Sequence, residues 1–182
     1  HANDAATVFN EVKDMDNAIK VAYEFYKKHP KETLIVVTAD HETGGIVLGT
    51  GKYELNLKAL QHQKHSADGL SQRISELRKS KGNKVTWEDM KTFLGEEMGF
   101  WKQFPISWEQ EKKLRDEFEK SFVKNKVVFA ESMYSKSEPM AARAKEVMDE
   151  IAMVGWVSGG HSAGYVPVFA IGAGSQLFGE KI

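Results

Sequence analysis

Thr33-Leu34-Ile35-Val36-Val37-Thr38-Ala39-Asp40-His41-Glu42-Thr43-Gly44-Gly45 is the stretch that decides the fold. From Leu34 to Val37 the residues are apolar and mostly β-branched, with no charge and no alternation. That pattern predicts a strand buried on both faces of a parallel sheet. The run ends in an adjacent carboxylate and imidazole, then two glycines. In open α/β sheets, ligands sit beyond the carboxyl ends of the strands. Asp40 and His41 therefore fall where chemistry is usually done. Both are ligand types for a borderline divalent ion such as zinc. Taken alone, the pair also has a plainer reading, with Asp40 capping a turn and His41 an ordinary loop histidine.

Working outward, residues 14–29 read as an amphipathic helix. Asp14 and Asp16 favour its start, and Lys27, Lys28 and His29 suit its end. Pro30 stops it, so helix and strand together form one repeat of a wound α/β sheet. Gly44-Gly45 makes a sharp turn, and Ile46-Val47-Leu48 can form a short strand. Residues 52–136 are more polar and helix-like. Leu70, Ile74 and Leu77 share a face. Thr86 can cap a helix carrying Trp87, Met90, Phe93, Leu94 and Met98. Ser107 with Gln110 fits a capping box for a helix carrying Leu114, Phe118 and Phe122. Trp87, Trp101 and Trp108 are expected in its core, and His62 and His65 as a solvated surface pair.

Core-like sequence returns near residue 138. Ser137 can cap a helix with Pro139 in its first turn. Met140, Ala144, Val147, Met148 and Ile151 form its apolar stripe, and Gly155 is expected to end it. Trp156-Val157-Ser158-Gly159-Gly160-His161-Ser162-Ala163-Gly164 is a glycine-rich loop around one histidine. Tyr165-Val166-Pro167-Val168-Phe169-Ala170-Ile171-Gly172 follows as a strand. Pro167 puts that strand near an edge or makes it start late.

Composition narrows the function. The chain has 25 basic and 26 acidic residues, a net charge of −1, so it lacks the basic excess that nucleic acid or an anionic membrane surface requires. No apolar run approaches the roughly 20 residues that span a bilayer. With no cysteine, disulfides, thiolate metal sites and a cysteine nucleophile are excluded, and any metal site must use His, Asp and Glu. His1-Ala2-Asn3-Asp4 shows neither an initiator Met nor a signal-peptide pattern. The chain is expected to be cut from a longer protein, with its targeting information elsewhere.

Together these residues resemble a known family. Thr38-Ala39-Asp40-His41, between a hydrophobic strand and Gly44-Gly45, resembles the strand-end metal motif of alkaline phosphatases. His1-Ala2-Asn3-Asp4-Ala5 resembles the histidine that follows an aspartate ligand in that family. Gly159-Gly160-His161-Ser162-Ala163, with Val166-Pro167-Val168-Phe169-Ala170 after it, resembles the last metal histidine and its following strand. Gly172-Ala173-Gly174-Ser175-Gln176-Leu177-Phe178 matches a Gly-x-Gly-x-x-Leu-Phe ending. The resemblance covers 1–50 and 138–180 and barely touches 52–136.

The fold it implies is α/β, part of an alkaline-phosphatase-like sandwich with a central mostly parallel sheet flanked by helices, plus a helical insertion. The expected segments are an α/β core piece at 1–51, a cap-like helical insertion at 52–136 and a second core piece at 137–182. By the resemblance, His1 and His161 belong to one zinc site, and Asp40 and His41 to a second. Upstream aspartates would complete each site. A magnesium site, the nucleophilic serine in its Asp-Ser-Ala setting and the phosphate-binding arginine would also lie upstream. No Asp-Ser-Ala element occurs here.

Glu42 adjoins the ligand pair, either as a partner orienting His41 or facing solvent. Thr43 and Ser162 read as loop residues. The implied activity is hydrolysis of small phosphate monoesters through a phosphoserine, in a periplasmic or extracellular enzyme, with these residues alone inactive. Loss of upstream strands would expose apolar edges, and a homodimer is one consequence. Two other readings stand beside it: a phosphodiesterase or phosphosugar mutase with the same two-metal core, and a non-catalytic α/β interaction module.

Overall fold

A computed structural model describes residues 2–51, 53–82, 84–131 and 136–179. The elements in chain order are α1 (Ala5–Lys28), β1 (Leu34–Val37), β2 (Glu42–Thr43), β3 (Ile46–Leu48), α2 (Ala67–Ser80), α3 (Trp87–Glu97), α4 (Trp108–Phe118), β4 (Ala130–Glu131), β5 (Lys136–Ser137), α5 (Pro139–Ala152), β6 (Val154–Trp156), β7 (His161–Ser162) and β8 (Phe169–Gly172). Leu57–His62 and Ser175–Phe178 form 3₁₀ turns, and Glu119–Val123 extends α4 as a π-helical turn.

The strands pair in antiparallel twos: β1 with β8, β2 with β7, β3 with β6 and β4 with β5. The parallel sheet expected around β1 is not shown among the described residues. Ile35 sits opposite Ile171, and Val37 opposite Phe169. Leu34 and Val36 stay 43% and 40% exposed. The cause is the number of neighbours: among the described residues β1 pairs with one strand, β8. An apolar cleft of about 200 Å³ lies between α1 and this pair, lined by Ile19, Tyr23, Ile35, Val37 and Phe169 among others. As Pro167 implied, β8 starts late, at Phe169.

The best-buried side chains are elsewhere. Leu70, Ile74, Met90, Leu94, Met98, Phe100, Leu114, Met140, Val147 and Met148 are fully buried in one apolar cluster. The helices of 52–136 therefore share their core with α5. Arg78 ties them further. Its guanidinium donates to Glu138 Oε1 and the Ser121 carbonyl, both at 3.1 Å, and lies 3.6 Å from the Phe122 ring centre.

Capping boxes form at Thr86 with Asp89 and at Ser107 with Gln110, as the sequence predicts for Ser107. Four expectations shift. α1 begins nine residues before Asp14, because Asp4 is its N-cap. The Asp4 carboxylate accepts from Thr7 N at 3.2 Å, Gln63 Nε2 at 2.8 Å and Ala67 N at 2.8 Å. It thus serves the first turns of α1 and α2 together. α5 is capped by Glu138, whose carboxylate accepts from Met140 N and Ala141 N, while Ser137 pairs in β5. Met153, in the left-handed region at φ 59°, ends α5, leaving Gly155 inside β6. Trp87 is buried and Trp101 partly buried, but Trp108 is 72% exposed, because as the first residue of α4 it points away from the shared core. No helix among the described residues is long and apolar enough to cross a membrane.

Asp149 on α5 is buried and accepts from Trp156 Nε1 at 2.8 Å. Burial pushes its carboxyl up from 3.8 to about 7, with the Trp156 bond and Lys145 opposing only in part and Asp4 adding to the rise. The folded state therefore keeps a proton, between about pH 4 and 7, that the unfolded chain releases. Stability falls as pH rises through that window and levels off above it, by at most roughly 4 kcal/mol. Asp149→Asn keeps the acceptor for Trp156 and removes the charge. In urea unfolding, the variant is expected to gain on the unaltered protein from about pH 5 to about pH 8. A constant difference across that range would contradict the assignment.

Candidate metal centre

Asp40 and His41 lie three and four residues past the end of β1, and His41 leads into β2. The register of β2 with β7 sets Glu42 opposite Ser162 and Thr43 opposite His161. The glycine turns on either side lock together. Gly44 N donates to Gly160 O at 2.9 Å, while Val157 N and Ser158 N donate to Gly44 O at 2.9 and 3.0 Å. Gly44 and Gly45 both take positive φ, 75° and 58°, as the sharp turn requires.

The pairing brings the His41 and His161 rings together, with centroids 3.6 Å apart and planes 35° apart. His41 Nδ1 lies 3.0 Å from the Glu42 carbonyl and 3.2 Å from Thr43 Oγ1. A carbonyl only accepts, so that contact is a hydrogen bond when Nδ1 carries the proton. The lone pair of the neutral ring is then on Nε2. This arrangement, with one ring nitrogen held by a backbone carbonyl and the other left for a ligand, is usual for metal-binding histidines. Nε2 stands 3.3 Å from Asp40 Oδ2. Two donors of one tetrahedral zinc, each about 2.0–2.2 Å from it, stand about 3.4 Å apart. Asp40 and His41 therefore fit a shared ion. Asp40 Oδ1 accepts from His41 N at 3.0 Å, which orients the carboxylate.

Among the described residues, no group of three or more His, Asp and Glu side chains is arranged to hold a metal ion. His1 lies outside the described residues. The chain beside it is held to the site: Asn3 Nδ2 donates to Ser158 O at 2.8 Å, and Lys145 Nζ donates to Ala2 O. His62 and His65 do not converge. His65 Nε2 faces Glu97 at 3.2 Å, and His62 Nε2 faces the Gln61 amide at 3.2 Å.

The Glu42 carbonyl holds the His41 ring, but its carboxylate neither bonds that ring nor faces solvent. Its Oε1 accepts from Gly45 N at 2.7 Å, and its Oε2 accepts from Ser162 Oγ. The Ser162 bond, with the backbone donors, holds the Glu42 carboxyl below the usual range. Asn3, Thr43, Trp156 and Ser162 are the site residues that sequence reasoning missed. For Thr43 the signal was available: it is next but one to His41, a candidate ligand at a predicted strand end.

A model of the alkaline phosphatase family matches residues 1–181. The chain belongs to the alkaline phosphatase family.

Among its relatives, alkaline phosphatase 3 of Bacillus subtilis (strain 168) is 29% identical over 193 residues, covering 100% of this chain and 34% of that protein. Alkaline phosphatase 4 of the same organism is 28% identical, over 98% of this chain and 32% of its own length. The cold-active alkaline phosphatase from a psychrophilic Shewanella sp. superposes with a TM-score of 0.67 at 25% identity, covering 97% of this chain and 37% of its own. The Thermus thermophilus enzyme, at 21% identity and a TM-score of 0.62, shares the fold. The chain spans about a third of the length of these relatives.

Gly44 tests whether the turn geometry matters. A Cβ there would stand 2.8 Å from Asn3 Oδ1 and 2.9 Å from Trp156 Cε3, at a φ of +75°. Gly44→Ala is expected to cost more than about 1–2 kcal/mol in chemical unfolding, the left-handed penalty alone. Gly159, where a Cβ meets nothing within 4 Å, is the control. Equal effects at the two positions would show the Gly44 contacts to be unimportant.

Proposed function

We propose that the protein containing these residues hydrolyses phosphate monoesters at a two-zinc site, through a phosphoserine. Asp40 and His41 contribute to one zinc, and His161 with His1 to the other. The observation that carries this reading is the β2–β7 pairing, which sets His41 against His161 beside an Asp40–His41 pair spaced for one ion. Asn3, two residues after His1, is bonded to Ser158, three residues before His161, which supports grouping those histidines.

Bound zinc would supply Lewis acidity and lower the pKa of a coordinated hydroxyl or water, the usual means of driving phosphoryl transfer near neutral pH. The residues of this chain have simpler tasks. Glu42 O and Thr43 Oγ1 hold His41 in the tautomer that presents Nε2. The His41 amide orients Asp40. The Gly44–Gly160 contacts fix the two loops against each other.

Catalytic zinc commonly has three protein ligands. Each site accordingly needs a further donor from outside these 182 residues, as do the serine nucleophile, the phosphate-binding arginine and the magnesium site. Membership of the alkaline phosphatase family favours the monoesterase over a phosphodiesterase or mutase. A periplasmic or extracellular setting goes with that reading. Residues 52–136 act as a cap over the site, a role supported by the bonds from Gln63 and Ala67 to Asp4 beside the site's N-terminal segment.

Zinc content and affinity of the intact protein test the assignment. Asp40→Asn and His161→Ala are each expected to collapse one site. Unchanged metal content in both would refute it. A polypeptide limited to these 182 residues is expected to leave p-nitrophenyl phosphate unhydrolysed, and chelator-sensitive turnover by it would contradict the assignment of the nucleophile elsewhere.

A further inference from the structure

The ladder that joins the two candidate sites is two residues long on each side. So short a pairing has few backbone bonds to fix its register. A slip by one residue would turn His161 to the opposite face. The bonds at Gly44 hold the adjoining turns, and side chains across the ladder can add to them in holding the register.

Successive side chains on a strand point to opposite faces. His41 and Thr43 therefore share a face with His161, as the His41–Thr43 contact and the close rings require. Glu42 and Ser162 meet on the other face. There the Glu42 carboxylate links three points. Oε2 accepts from Ser162 Oγ, directly across the ladder. Oε1 accepts from Gly45 N at 2.7 Å, at the turn that follows β2. Ser162 Oγ in turn accepts from Gly164 N at 3.2 Å, at the turn that follows β7. Gly164 leaves room for this: a Cβ on it would lie 3.2 Å from Glu42 Cγ.

We infer that Glu42 and Ser162 form a clamp on the back of the β2–β7 ladder, positioning His41 and His161 for their two metal ions without touching either. The clamp rests on the proposed two-zinc reading. Glu42 and Ser162 are positioning residues: they act on the metals only through the register of the strands that carry the ligands.

The test uses the intact protein with zinc as the probe. Chelator competition gives zinc affinity, and urea unfolding of the metal-free protein gives stability. Glu42→Ala and Ser162→Ala are each expected to weaken zinc binding about 10–100-fold, the range typical of outer partners of metal ligands. The double variant is expected to lose little more than either single one, because both remove the same link. The metal-free unfolding midpoint should move little. Ser162→Thr keeps the hydroxyl and should recover most of the affinity.

Normal zinc affinity in both alanine variants would overturn the clamp and leave the proposed function standing. So would a loss matched by an equal loss of metal-free stability, which marks a merely structural role. Absence of zinc binding by the unaltered protein would overturn the proposed function and the clamp with it.

Discussion

Two pairs of residues, Glu42 with Ser162 and Thr43 with His161, make the contact on which the rest of the site depends. β1 delivers Asp40 and His41 to one end of the molecule, and α5 with β6 delivers the glycine loop that precedes His161. Neither element alone brings two imidazoles together. The short ladder and the Gly44–Gly160 hydrogen bonds do so across 120 residues of sequence. Its position also accounts for the glycines. Gly44 is crowded by Asn3 and Trp156, so the turn that closes the ladder has no space for a side chain.

The molecule divides its stabilisation unevenly. The large buried side chains belong to α2–α5 and the turns between them, whereas the strands nearest the candidate site keep apolar residues exposed. Leu34, Ile46, Val47, Phe169 and Ile171 are all partly open to solvent. α5 leads through β6 to the His161 loop, so that loop is anchored in the helical cluster. Asp4 joins the two regions, capping α1 while accepting from the start of α2. A buried carboxylate bonded this fully is costly to remove, since each donor would lose its partner in a dry environment.

Local chemistry was legible in the sequence, and partnership was not. The Ser107–Gln110 box, the turn at Gly44-Gly45 and the late start forced by Pro167 depend on adjacent residues, and all are present. The apolar run Leu34–Val37 forms a strand, yet its pairing is antiparallel and its face half open. An uninterrupted apolar run reports what a strand can bury, not which neighbours it has. The start of α1 was misplaced for a related reason: Asp14 and Asp16 look like caps by composition, but Asp4 alone has donors converging on it from two helices. The same limit hid Ser162. Its hydroxyl matters because Glu42 stands across the ladder, a relation that no local pattern records.

As proposed, Asp40 and His41 hold one zinc ion and His161 a second beside it. Anomalous diffraction at the zinc edge, from crystals of the intact protein grown with zinc, tests it most directly. Two peaks about 3.5–4 Å apart are expected, the separation usual for two-metal phosphoryl transfer. One should lie between Asp40 Oδ2 and His41 Nε2, and the other on the His161 ring. Zinc found instead at His62 and His65, or a lone peak that avoids all three residues, would contradict it.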